Sequence, residues 1–166
     1  MGTYRISRNI EASLIQYIID QLVTDKWLNI NVEKTFARIY KDARGSDTKK
    51  PYICIRVSDT THEAVEIGSN STYRIPLVFI DIFGVDDGNR LDLKDYLVSI
   101  LKNGFNYYEY NISNGAVQSK VKNGKIRVLS IADTPVDFNI NKNELDMVDR
   151  YRHLLTLTID LGKVEE

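Results

Sequence analysis

The sequence predicts an α+β domain: a largely antiparallel sheet with two main helices packed on one side, plus a β-hairpin meander. Three observations predict it. Apolar residues recur at three- and four-residue spacing in two separate stretches, strand-like alternation fills most of the rest, and two Asn-Gly pairs divide short alternating runs. With 166 residues, the chain fits one domain spanning 1–166 that buries roughly two thirds of the surface exposed when unfolded.

Ile6, Ile10, Leu14, Tyr17, Ile18 and Leu22 form the first stripe, widened by Ile15, Ile19 and Val23, which predicts a helix over about 5–25. A strand is expected around Ile30 to Tyr40, then an exposed loop in "KDARGSDTKK", residues 41–50. "PYICIRVS" sets Ile53, Ile55 and Val57 against Tyr52, Cys54, Arg56 and Ser58, the period of a half-buried strand. A second polar connection is expected over 58–72. "YRIPLVFIDIFGV" then carries Leu77, Phe79 and Phe83 on one face and Val78, Ile80 and Ile82 on the other. That pattern predicts a central strand, or one covered on its second side by another subunit.

The second helix follows at once. Asn89 is placed to cap it, Leu93, Tyr96, Leu97, Ile100 and Leu101 form its stripe, and Gly104 stops it. From Tyr107 the chain reads as strands joined by two-residue turns at Asn114-Gly115 and Asn123-Gly124. The last strand, "DRYRHLLTLTIDL", sets His153, Leu155, Leu157, Ile159 and Leu161 inward and Arg152, Thr156, Thr158 and Asp160 outward.

Composition excludes several function classes. The 22 Lys and Arg against 23 Asp and Glu leave a net charge of -1, so no overall basic field exists to hold a phosphate backbone. No apolar run approaches the length of a membrane span, and no export signal is expected. The lone Cys54 reads as a small core residue and cannot close an intrachain disulfide. His62 and His153 lack the partners of a nucleophilic triad or a zinc helix, with Glu66 standing where a second metal-binding histidine would be needed. "DDGNRLD" lacks the ligand spacing of a calcium loop, and no glycine-rich phosphate loop occurs. No cofactor or metal is therefore expected.

One residue resists this bland reading. Asp81 lies inside the apolar run "VFIDIFG" and shares a face with Leu77, Phe79 and Phe83. A buried carboxylate costs several kcal/mol, on the order of a lost buried ion pair, unless something answers it. Arg56, Arg74, Arg127 and Arg150 are the candidate partners of this structural ion pair. The alternative is a metal-dependent nuclease, with Asp81 as one metal-binding carboxylate and "PVDFNINK", residues 135–142, supplying another together with a lysine. Tyr108 and Tyr110, with Lys120, Lys122, Lys125 and Arg127 beyond them, read either as a protein interface or as a platform for nucleic acid.

In order, the apolar opening helix, "PYICIRV" after a polar loop, "IPLVFIDIFG" running into "LDLKDYLVSIL", and the closing "DRYRHLLTLTIDL" resemble the tail terminator proteins of tailed bacteriophages. The likeness spans residues 5–161 and is one of layout; neighbouring neck and head-completion proteins share much of it. It implies a structural virion protein without enzymatic activity, assembled in the host cytoplasm into a ring, typically a hexamer, at the head-proximal end of the tail. Such a ring ends growth of the tube, binds the tail tube protein and the neck or connector protein, and lets DNA pass without sequence-specific grip. Contacts are expected in the loops 41–50 and 59–74 and at Arg44, Lys49, Lys50, Tyr73, Arg74, Tyr108 and Tyr110.

Overall fold

The computed structural model describes residues 2–3, 5–27, 29–33, 51–68, 70–136, 151–162 and 164–165. The fold is α+β. Its elements are β1 (Gly2–Thr3), α1 (Ile6–Thr24), β2 (Asn31–Glu33), β3 (Tyr52–Ala64), β4 (Thr72–Phe83), α2 (Asp87–Leu101), β5 (Phe105–Ser113), β6 (Ala116–Pro135), β7 (Arg152–Asp160) and β8 (Val164–Glu165). The strands line up as β1-β5-β6-β7-β4-β3-β2, and β8 joins β4. Among the described residues, only the β2–β3 pairing is parallel.

Both helices bury their stripes on one face of the sheet. Ile10, Leu14, Ile18 and Leu22 of α1 and Leu93, Leu97 and Leu101 of α2 share one core with Ile53, Ile55, Val78, Ile80, Ile82, Leu155, Leu157 and Ile159. The inward set of the last strand is as expected, and β4 is central, between β3 and β7.

Helix α1 ends in a left-handed residue, Lys26 with φ 59°. The amide of Trp27 donates to Leu22 O at 2.9 Å and that of Lys26 to Val23 O at 3.3 Å, which satisfies two of the last carbonyls. The Trp27 ring lies 5.2 Å from that of Tyr96, whose hydroxyl donates to Asp25 Oδ2 at 2.7 Å, so the end of α1 is tied to the middle of α2. Helix α2 begins earlier than expected. Asp86, not Asn89, is the cap: its Oδ1 accepts from the Asn89 amide at 2.7 Å, while Asn89 Oδ1 accepts from the Val85 amide at 3.2 Å. A short carboxylate ahead of the first turn outcompetes the amide three residues on because it also meets the positive end of the helix dipole. Gly104 does stop the helix, at φ +74°, and a Cβ there would collide with the carbonyl oxygen of Ile126.

One expected loop is largely strand. The stretch 59–74, read as a polar connection, is the outer part of a hairpin: Thr60–Ala64 pairs with Thr72–Pro76, closed by Val65 N donating to Ser71 O at 3.1 Å. Its residues are polar because both sides of the strand meet solvent, so composition mimicked a loop. The register slips between Val57 and Thr60, which leaves Ser58 and Asp59 opposite Leu77. Pro76, which has no amide to donate, sits just outside the part of β4 that pairs with β7.

The second Asn-Gly pair is not a hairpin turn. Asn114-Gly115, with φ of 52° and 78°, makes the tight β5–β6 turn. Asn123 and Gly124 instead lie within the 20-residue β6, where both oppose Tyr107 as a bulge. Asn123 Nδ2 donates to Glu109 Oε1 at 2.7 Å, so the asparagine serves the partner strand rather than a turn. The expected meander is one hairpin plus one long bent strand, which pairs with β5 through Ile126 and with β7 from Arg127 on.

This bend curls the sheet until its two ends meet the same helix. On the β5 side, Asn9 Oδ1 accepts from the Tyr110 amide at 3.2 Å and Ser13 Oγ from the Tyr108 amide at 3.0 Å. On the β3 side, the Glu11 carboxylate lies 3.5 Å from the Val57 amide. One helix therefore answers the edge amides of two strands that stand far apart in the sheet order.

Candidate functional site

The face of the sheet opposite the helices carries Asp81, which is fully buried. The pleat places it between Cys54 on β3 and Leu154 on β7, with Arg56 and Arg152 diagonal to it. Arg152 donates twice to one carboxylate oxygen, from Nε at 3.2 Å and from Nη2 at 2.9 Å. Arg56 Nε stands 3.9 Å from the other oxygen, Oδ2, which accepts no hydrogen bond among the described residues. Arg56 and Arg152 also lie over the rings of Phe79 and Phe83, at 5.0 and 5.5 Å. The aspartate is thus held by protein cations whose guanidinium groups lie over aromatic rings, and its strand is fixed against both neighbours.

Of the three expected partners among the described residues, Arg56 is the one near Asp81. Arg74 donates to Ser7 Oγ at 3.2 Å, Arg127 pairs with Asp160 at 3.6 Å, and Arg150 lies outside the described residues. Arg152, the principal partner, was assigned to the wet face of β7. A single diagonal step across the ladder brings it onto Asp81, which the spacing within one strand cannot reveal.

A second polar cluster sits on the helix side. His153 is buried, Arg90 Nη1 lies 2.7 Å from its Nδ1, and Asp133 Oδ1 lies 3.2 Å from its Nε2. Guanidinium only donates, so Nδ1 is the acceptor and Nε2–H donates to Asp133: a neutral imidazole with both nitrogens used. Lys94 approaches Asp133 at 3.9 Å and Asp87 pairs with Arg90 at 3.4 Å. Burial pushes the His153 pKa below its ordinary 6.5, the Asp133 hydrogen bond works against that shift, and Arg90 adds to it.

The remaining expected interface residues separate. Arg44, Lys49 and Lys50, the loop 41–50, and residues 137–142 of the nuclease reading lie outside the described residues. Tyr73 is 41% exposed near the tip of the β3–β4 hairpin. Tyr108 carries Lys120 Nζ at 4.6 Å from its ring centroid, on the β5–β6 hairpin. Tyr110 is a correction: only 7% exposed, its hydroxyl 3.5 Å from Ala12 O, it belongs to the seam with α1 and offers no surface. His62 is an exposed strand residue opposite Arg74. "DDGNRLD" opens α2 and caps it.

Sequence reasoning missed Asn9 and Ser13, buried on α1. Their signal is a polar pair four residues apart at the border of an apolar stripe, a spacing that places both on one helix face. Among the described residues no three His, Cys, Asp or Glu side chains gather as metal ligands. A cleft of about 540 Å³ beside the start of α1 is lined mainly by polar side chains, including Arg5, Ser7, Asn9, Arg74 and Glu109. The chain matches no protein-family model, and comparison with curated proteins finds no significant match.

Removing one member of the Asp81 pair leaves the other stranded, so Asp81→Leu lowers unfolding free energy by about 3 kcal/mol. Adding Arg152→Met restores at least half of that loss in denaturant titrations; a double variant as unstable as the single one removes the pairing from the account. For His153 the folded pKa is depressed, so the folded chain binds fewer protons than the unfolded one between that lowered value and 6.5. Its contribution is complete above pH 6.5 and is lost as pH falls through that interval, with a slope of at most about 1.4 kcal/mol per pH unit. His153→Gln flattens that segment of the stability profile; an unchanged slope assigns it to another group.

Proposed function

We propose that this protein is a structural subunit of a phage virion, which self-associates into a ring, of six copies by the family likeness, at the head-proximal end of the tail. There it ends tube growth and joins the tail to the neck, as the resemblance to tail terminators implies. The observation that carries the self-association is the pair of hairpins. Beyond the helix-covered core, β3 is exposed from Thr61 to Ala64 and β6 from Ala116 to Lys125, with Val117 and Val121 48% and 57% accessible.

Strands built this way expose backbone donors and acceptors that a partner can use. A ring repeats one contact between two different patches until it closes, and two separate hairpins supply two patches. Balanced charge supports a lumen that passes DNA without holding it. Arginines on Asp81 support its use in fixing strands rather than in holding a catalytic metal.

Native mass spectrometry and light scattering test the reading. The expected mass is six times the 19.1 kDa of one chain, with annular particles under the electron microscope that bind the ends of tail tubes and not their sides. A subunit that stays single at all concentrations and cleaves DNA with magnesium, an activity lost in Asp81→Asn, would replace this reading with the nuclease.

A further inference from the structure

The two hairpins differ in charge as well as in position. From Ser58 to Gly68 the β3 arm carries Asp59, Glu63 and Glu66 and no Lys or Arg. From Ala116 to Lys125 the β6 arm carries Lys120, Lys122 and Lys125 and no Asp or Glu. Among the described residues, each arm also has one long edge that pairs with no strand. Among the described residues, Ser58–Ala64 pairs only with β4, because β2 reaches no further than Cys54. Likewise Ala116–Ile126 pairs only with β5, because β7 begins to pair at Arg127.

Each arm carries charges and a bulge that keep like edges apart, lysines and the Asn123-Gly124 bulge on β6 and carboxylates and the Ser58-Asp59 slip on β3. β6 carries its lysines on a strand that also exposes Val117 and Val121, and the acceptors that α1 supplies go to the amides of Tyr108, Tyr110 and Val57. Two copies of the basic arm repel each other, as do two copies of the acidic arm. An acidic arm set beside a basic one gains both the ladder of backbone hydrogen bonds and opposite charges facing across it.

We propose that the free edge of β3 in one copy pairs with the free edge of β6 in the next, joining the sheets of neighbouring subunits head to tail. The contact is heterologous, so each copy keeps one acidic and one basic edge for its two neighbours. This names the interface of the ring reading above and rests on it. Charge also sets the pairing rule: acidic arm to basic arm, never like to like.

The test uses the full-length chain, with circular dichroism on each variant to show that it folds. Replacing Lys120, Lys122 and Lys125 by Glu, or Asp59, Glu63 and Glu66 by Lys, is expected to raise the dissociation constant for self-association by about ten-fold or more in sedimentation at low salt. Mixing the two variants restores assembly, because one copy's unmodified arm then meets opposite charge, and carrying both replacements on one chain restores it as well. A second measurement does not depend on charge: Thr61→Cys protein mixed with Val121→Cys protein forms disulfide-linked pairs faster than either alone, since the native Cys54 is buried.

If the wild type assembles and neither charge variants nor cysteine pairs respond, this interface is wrong while the ring reading stands. A wild type that never assembles removes both. If the lysine replacements abolish binding to duplex DNA in fluorescence anisotropy but leave assembly unchanged, the basic arm is a nucleic-acid contact and the proposal is overturned.

Discussion

A buried amide at the rim of a sheet needs an acceptor, and in this protein helix α1 supplies acceptors to two rims at once. Ser13 and Asn9 take the amides of Tyr108 and Tyr110, and Glu11 faces that of Val57. Leaving such a donor unpaired costs about 1–3 kcal/mol, so these three polar side chains, set among Ile10, Leu14 and Ile18, hold the curl of the sheet. The bend in β6 at Asn123-Gly124 and the slip in β3 at Ser58-Asp59 supply the curvature that makes the closure possible. Among the described residues, the outer parts of β3 and β6 each pair with one strand only, which is why the proposed contact between copies uses the two hairpins and not the core strands.

Within that frame the two buried ionisable groups have complementary places. Asp81 sits on the face away from the helices and is answered by Arg152 and Arg56, whereas His153 sits on the helix face and is neutral, fixed between Arg90 and Asp133. They lie on adjacent strands, opposite Leu154 and Ile82 respectively. The same three-stranded centre is therefore pinned on both faces by directional polar contacts, which apolar burial alone does not supply.

Much of this was legible in the chain itself. The α+β class, the span of α1, the central position of β4, the inward face of β7 and the Gly104 stop all follow from periodicity, because each element buries one regular stripe. Local competition hid the α2 cap, where Asp86 and Asn89 are both suitable and only the backbone decides. Composition hid the β3–β4 arm, since a strand wet on both faces has the residues of a loop. Asn123-Gly124 carried a true turn signal, and the β5 partner across from it converted that signal into a bulge. Pairing between strands hid Arg152, and contact between helix and sheet hid Asn9, Ser13 and the burial of Tyr110.

The central claim is a division of edges: α1 answers those of the core, and in the assembly proposed above the arms stay open until another copy covers them. Amide hydrogen exchange reads that division residue by residue. The account predicts protected Tyr108 and Tyr110 amides at every protein concentration, with fast exchange over 58–64 and 116–125 in dilute solution that slows as the chains assemble. Assembly that leaves both arms exchanging fast, or Tyr108 and Tyr110 amides that exchange as quickly as the arms, would contradict it.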